Sequence, residues 1–424
     1  MKIKNSKNPL TLVIFGATGN LYSDKLAKAL YLLFQQDKLP DEFAIIAFAR
    51  RDMSNKDFRI FTKESITKRG EIDDSKLDQF LGHLQYFKGD FQEKEDFIKL
   101  KNFISSFSST QVNGRILLHI ATASKLYEKI FQNVHFAGIA AMHEETSIMI
   151  EKPFGRSESD ARHLESIISG IFKEENIFHV DHYLAKETAQ NMFDVRWKSD
   201  SLEKKWGKET IEKIKVIFYE SNLVGSRGAS YDTFGAFADV GQNHMLELLA
   251  LTIMDKPRQF DSEHIRAARA KVLSDLYIDY NLKITKGQYE GYHSEPGVDP
   301  HSATETFFRV FMRSKNPSFS NVCFELESGK GLIDAHSDIT STTVAVEIYF
   351  KTGEKRELKI QPVPGTVYES YTGVYANALA GDQTLFVSIE EIILEWRLAD
   401  ELFKKWGDMP LVIYEKGSRA DYIK

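Results

Sequence analysis

Residues 11–30, TLVIFGATGNLYSDKLAKAL, decide the architecture of the first part of the chain. The apolar run Leu12 to Phe15 has the character of a buried strand, and Leu21 to Gln35 continues at helical spacing. Between them, Gly16 and Gly19 allow a tight turn and close backbone approach. A strand that runs through such a turn into a helix offers free N–H groups and a positive dipole end to a diphosphate. A lone G-x-x-G is more often only a turn; these flanks make dinucleotide binding the better reading. The second strand ends in Arg50 and Arg51, where an acid would hold the ribose hydroxyls of NAD. Cations there favour the 2′-phosphate of NADP. Their alternatives are stacking on adenine, which leaves NAD open, or two solvated surface arginines.

Outward from this stretch, TLVIF (11–15), FAIIAFA (43–49), ILLHIA (116–121), SIMI (147–150) and IFHV (177–180) read as strands. They alternate with helical patterns such as Leu21 to Gln35 and Lys125 to Met142, a rhythm that predicts a doubly wound parallel sheet, Rossmann-like. Ser157 and Asp160 give an N-cap signal for a helix toward Lys173. Beyond about residue 210 the texture changes. TVAVEIYF (343–350) alternates, with Val344, Val346, Ile348 and Phe350 on one face, and IKVIFYE (214–220), ETFFRVFMR (305–313) and VCFELE (322–327) are strand-like too. This predicts an α+β second domain with a large, mainly antiparallel sheet covered by the helix after His244 and by Ser262 to Tyr277. The tract 286–307 reads as a loop leading into a strand. The expected domains are 1–190 and 191–424.

The 424 residues are 42% apolar and 27% charged, ordinary for a soluble globular chain of two domains. A formal net charge of −6 gives no basic surplus for nucleic acid or acidic membranes. No segment has the length of a membrane span, the N-terminus lacks a signal-peptide core, and Cys323 is the only cysteine. A cytoplasmic home and no metal are the expectations. Patterns for serine hydrolysis, zinc hydrolysis and ATP-driven chemistry are missing.

Three further stretches carry chemistry. In EKPFG (151–155) the proline either simply ends the strand or marks the edge where ligands sit in such sheets, in which case Lys152 would face cofactor or substrate and a cis bond at Pro153 could aim it. In DHYLAKE (181–187), Asp181 can cap a helix, while His182 and Lys186, four apart, share a face that suits a phosphate or is merely solvated. ADVGQNHMLELLALTIM (238–254) reads as a core helix whose first turns carry Asp239 and His244. On an α-helix these two stand roughly 140° apart, so an acid that orients His244 must come from elsewhere, and Asp181 is the candidate.

GATGNL, FARRDMSNKDFR, EKPFGRSESDA, DHYLAKETAQN, YDTFGAFADVGQNHMLELLAL, GQYEGY, GVDPHSATETF, GDQTLF and YEKGS, in that order, resemble the glucose-6-phosphate 1-dehydrogenase family over nearly the whole chain. The resemblance implies oxidation of C1 of a hexose 6-phosphate, by default D-glucose 6-phosphate, to the lactone, with NADP as cofactor and NAD as the alternative. It implies His244 as catalytic base and Asp181 as the carboxylate orienting it. His182, Tyr183 and Lys186 would hold the phosphate. Glu220 and Asp239 would bind sugar hydroxyls, and Lys152, Lys330 and Lys25 lie on the substrate side. Gly16, Thr18, Gly19, Asn20, Leu21, Arg50, Asp90, Phe91 and again Lys152 fall on the cofactor side. It also implies a homodimer, or a dimer of dimers, built through the large sheet.

Several positions depart from the family pattern. Ala238 stands where an Arg precedes the sugar-binding Asp, Ala123-Ser124 replaces an L-P-P turn, R-T-G-K reads Glu327-Ser328-Gly329-Lys330, and Ala335 replaces a second basic residue. Asn20 replaces an Asp, and Gly241 interrupts the active-site helix at up to about 1 kcal/mol relative to Ala. These departures motivate a second reading, the same chemistry on a different sugar. A third is a non-catalytic relative that binds nucleotide or a partner; the intact Asp181, Lys186 and His244 argue against it.

Overall fold

The computed structural model describes residues 8–68, 74–108, 114–185, 196, 206–333, 342–359 and 369–424. It divides into two compact units, one drawn from 1–155, 160–185 and 364–389, the other from 156–159, 186–363 and 390–424.

In the first unit, β1 (Leu10–Phe15), β2 (Phe43–Ala49), β3 (Leu84–Lys88), β4 (Arg115–Ile120), β5 (Thr146–Ile150) and β6 (Ile177–Val180) pair in parallel. The order is β3-β2-β1-β4-β5-β6, doubly wound, so β1 and β4 flank the point where the order reverses and ligands bind. Every residue of β1 is buried, Thr11 included, as the apolar run Leu12 to Phe15 leads one to expect. The sheet is not wholly parallel: β14 (Phe386–Val387) adds antiparallel to β6, and the helix Glu369–Ala380 contributes Tyr371, Val374 and Tyr375 to the same core. β3 went unread because LQYFK alternates imperfectly.

In the second unit, β7 (Ile211–Glu220), β8 (Leu276–Ile278), β9 (Thr285–Tyr289), β10 (Phe307–Ser314), β11 (Cys323–Lys330), β12 (Thr342–Phe350), β13 (Lys355–Lys359) and β15 (Leu411–Tyr414) form the order β13-β12-β7-β11-β10-β9-β15, with β8 beside β10. The sheet is mainly antiparallel, as expected, but β7–β11 and β9–β15 are parallel pairs. Parallel neighbours need a long crossover. Between β7 and β11 lie the helical run Phe237–Ile253 and the helix Ser262–Asp275. Residues 286–307 are not simply a loop, since β9 takes the first four of them. β12 does not alternate in burial, since Thr343 to Ile348 are all buried, and its register shifts between Tyr349 and Phe350.

Candidate active site

At the end of β1 the glycine turn has the expected build. Gly16 has φ +86°, and a Cβ there would lie 2.5 Å from the Ala121 carbonyl oxygen, so only glycine fits. The Gly19 N–H donates to the Gly16 carbonyl at 2.9 Å. A Cβ on Gly19 would meet only that same carbonyl, at 3.2 Å, and otherwise open space. That open backbone cradle fits a dinucleotide diphosphate. Thr18 and Leu21 are half-buried and Asn20 is exposed; the helix then begins with a wide i→i+5 turn, Tyr22–Leu26, which carries Lys25. Arg50 and Arg51 are exposed directly after β2. After β3, Asp90 donates its N–H to the Asp96 carboxylate and accepts from the Gln92 N–H, both at 2.9 Å. The Phe91 ring packs on Phe15 and Phe48, so its side chain serves the core.

The same unit assembles a second group. Asp181 is 2% exposed, and its Oδ1 accepts from the Tyr183 N–H at 2.8 Å and the Leu184 N–H at 3.3 Å, a capping geometry. This sets His182 and Tyr183 side by side, ring centroids 4.7 Å apart. Lys186 lies outside the described residues. The Lys152–Pro153 bond is cis. Glu151, just before it, links a network that sequence reading missed. Its carboxylate meets His119 Nε2 at 2.9 Å and accepts from the Tyr371 hydroxyl at 3.0 Å, while His119 Nδ1 meets the Tyr375 hydroxyl at 2.7 Å. The Tyr371 ring stacks on His182 (5.8 Å, 20°) and lies under the Lys25 ammonium at 5.7 Å. No local pattern announces such a network, because its members come from β4, the end of β5 and a helix some 220 residues later.

The second unit gathers the residues assigned to the sugar. Lys330, 3% exposed at the end of β11, pairs with Glu220 at the end of β7 and reaches Asp239 Oδ2 at 3.2 Å. The strand register sets Lys330 opposite Glu220. Two residues not foreseen join them: the Tyr231 ring beneath the Lys330 ammonium at 5.3 Å, and Arg227, 3.8 Å from Asp239. Burial, with Asp239, Glu305 and Glu220 nearby, pushes the Tyr231 hydroxyl well above its usual range, so it stays neutral. His244, 1% exposed, lies parallel to Phe218 (6.3 Å, 8°).

One expectation is corrected by the helix itself. Phe237–Met245 is a π-helix, hydrogen bonded i→i+5, not an α-helix. In such a turn residue i stands over i+5, so Asp239 and His244 share a side rather than standing roughly 140° apart. The glycine at 241 also has a reason. A Cβ there would sit 2.7 Å from the Phe237 ring and 2.8 Å from the Phe308 ring.

A family model for the NAD binding domain of glucose-6-phosphate dehydrogenase matches residues 13–191, and one for the C-terminal domain matches 193–364. The chain belongs to the glucose-6-phosphate dehydrogenase family. It is 31% identical to glucose-6-phosphate 1-dehydrogenase of Borreliella burgdorferi over 99% of this chain and 96% of that one. It is 30% identical to that of Streptococcus pneumoniae, over 96% and 92%. Among solved structures, the Mycobacterium avium enzyme superposes with a TM-score of 0.85 at 26% identity, covering 97% of this chain and 95% of that one. A glucose-6-phosphate dehydrogenase in complex with glucose 6-phosphate gives 0.84, also at 26% identity, with the same coverage.

Against that family, the departure at Glu327 loses its bearing on the sugar. Residues 327 and 330 differ by three in one strand, so they face opposite sides of the sheet. Glu327 is fully buried on the far face, with Lys215 at 2.6 Å and with Tyr219 and Arg309. Burial alone would lower Lys215, but Glu327 and Glu325 outweigh it and hold the ammonium above its usual range. Ala238 is buried beside Asp239, whose cationic neighbours are Lys330 and Arg227. Ala335 lies outside the described residues. Nothing in the structure explains Asn20 or Ala123-Ser124.

Proposed function

We propose that this chain oxidises C1 of D-glucose 6-phosphate to the 6-phospholactone, the first step of the oxidative pentose phosphate pathway, with NADP as its cofactor. The observation that carries the reading is the convergence of Glu220, Asp239 and Lys330, with His244 on the same helix as Asp239, in a member of this family. The first unit holds the dinucleotide, with Gly16, Thr18, Gly19, Asn20, Leu21, Asp90, Lys152 and the backbone at Phe91 on the cofactor side and Arg50 on the 2′-phosphate. The second unit binds the sugar and forms a homodimer, or a dimer of dimers, through its large sheet. The protein acts in the cytoplasm; among the described residues no helix is long and apolar enough to cross a membrane.

His244 takes the proton of the C1 hydroxyl as the C1–H bond breaks and the carbonyl forms. The nicotinamide, when bound, supplies the acceptor for the hydride. Asp181 holds the imidazole in one tautomer and stabilises the imidazolium. Asp181 belongs to the first unit and His244 to the second, so this partnership is a statement of chemistry that kinetics tests. Glu220 and Asp239 accept from sugar hydroxyls, and Lys330 donates while holding both carboxylates. His182, Tyr183 and Lys186 bind the phosphate, with Lys152 and Lys25 beside it. The test is NADPH formation from glucose 6-phosphate against other aldose 6-phosphates and unphosphorylated sugars. A preference for glucose 6-phosphate in kcat/KM is expected; a preference for another sugar would replace the substrate while keeping the chemistry.

A further inference from the structure

The wide turn that brings Asp239 and His244 to one side is held by a side chain for which the proposed chemistry has no role. Asn243 is 7% exposed. Its Nδ2 donates to the Ala238 carbonyl at 3.0 Å, five residues back, and to Gln242 Oε1 at 3.2 Å. Its Oδ1 accepts from the His244 N–H at 2.8 Å. Gln242 is anchored in turn, its Nε2 donating to Glu395 Oε2 at 3.3 Å. The orientation of the amide is forced: turned over, it would set oxygen against two oxygens and nitrogen against an N–H. The amide thus spans the π turn, from the carbonyl beside Asp239 to the N–H of the base. Gly241 supplies the other half of the device, since the Phe237 and Phe308 rings occupy the space that a side chain would need. A turn of this kind is rare and persists where its surroundings hold it open.

We propose that Asn243 is a positioning residue: its amide keeps this helix in the i→i+5 register, so that the sugar-binding Asp239 and the base His244 act on one substrate together. In an ordinary α turn the two would swing roughly 140° apart. The proposal rests on the reading of His244 as the base, and the experiment separates the two.

The full-length variants Asn243→Asp and Asn243→Leu are compared with the parent by kcat and KM for glucose 6-phosphate with NADP, from about pH 6 to about pH 9. At about pH 8, Asn243→Asp presents an ionised oxygen to the Ala238 carbonyl and is expected to lose about 10²-fold in kcat/KM, the scale of an ångström misplacement. As pH falls, the introduced carboxyl gains a proton and can donate again, so its activity relative to the parent should climb. The neighbouring Glu395, reached through Gln242, favours that protonation, while the charged form of His244 opposes it. Dividing by the parent removes the titration of His244 common to both. Asn243→Leu, close in size but unable to hydrogen bond, should be impaired at every pH with no such recovery. A crystal structure of Asn243→Leu should show an i→i+4 helix at 237–245, and this readout stands even if the substrate is a different sugar. Parent-like kcat/KM for Asn243→Asp across the range, a deficit in both variants equal only to their unfolded fraction, or an unchanged π turn in Asn243→Leu would each overturn the proposal. By contrast, normal turnover by His244→Ala would overturn the reading of the base and leave the geometry of the turn standing.

Discussion

Lys330 is the residue on which the proposed sugar site turns. Its ammonium sits almost fully buried between two carboxylates and over an aromatic ring, so its removal leaves Glu220 and Asp239 facing each other. Lys330→Met is expected to raise KM for the sugar phosphate by about 10- to 100-fold, the value of a lost charge-assisted hydrogen bond of about 1.5–3 kcal/mol, measured by steady-state kinetics. A KM unchanged alongside a lower Tm would make the lysine structural. Asp181→Asn should lower kcat more than it raises KM if the carboxylate orients the base; a rise in KM alone would assign it to binding. At this scale the sequence singled out Glu220, Asp239 and Lys330, which the fold sets together. It was misleading at Glu327, although strand parity alone, three positions from Lys330, puts that side chain on the other face. Arg227 and Tyr231 in the second unit, and Tyr371 in the first, were not legible, since only folding brings such a cation or ring to its own group of residues.

The element that matters most is the run Phe237–Ile253, which opens as a π-helix and continues as an α-helix. Hydrophobic spacing shows that a helix exists; it does not show how wide its turns are, because a side chain and a neighbouring ring decide that. The same holds at Tyr22–Leu26, so both helices carry a wide turn near their start. The N-terminus of the π-helical stretch is held by Glu305, whose Oε1 accepts from the Phe237 N–H at 2.9 Å. Burial pushes the Glu305 carboxyl up to about 7, partly offset by the Phe237 N–H and by Lys286. The folded state therefore holds this proton more tightly than the unfolded chain, whose value is 4.5. Stability from this group is complete below about pH 4.5 and is lost as pH rises to about 7, by about 3 kcal/mol in all. Glu305→Gln removes that slope, so its Tm should fall less than the parent's between those limits. A parallel fall in both would contradict the assignment. Gly241→Ala, which would help an ordinary α-helix, should here lower Tm, because the added methyl meets two phenyl rings. Strand legibility followed the same physics. β1 and β12 were read from period and composition. β9, with Lys286, Gly287 and Gln288, and the charged edge strand β13, KRELK, do not look like strands until their neighbours are known.

At the scale of the whole molecule, the alternation of strands and helices foretold a doubly wound sheet followed by a mainly antiparallel one. The return of the helix Glu369–Ala380 and of β14 to the first core was not legible, since nothing local says which core an amphipathic segment will join. The proposed cofactor preference is tested by Arg50→Ala combined with Arg51→Ala. The double variant should lose about 10- to 100-fold in kcat/KM with NADP and much less with NAD, as expected when charge-assisted contacts to a 2′-phosphate disappear. Equal losses with both cofactors would favour stacking on adenine. The most direct test of the whole account is the rate of NADPH formation from glucose 6-phosphate by the parent and by His244→Ala, both checked for folding. The parent should turn over and the variant should fall in kcat by about 10² to 10⁴-fold, the share of a positioned base. A variant that matches the parent would contradict the account at its centre.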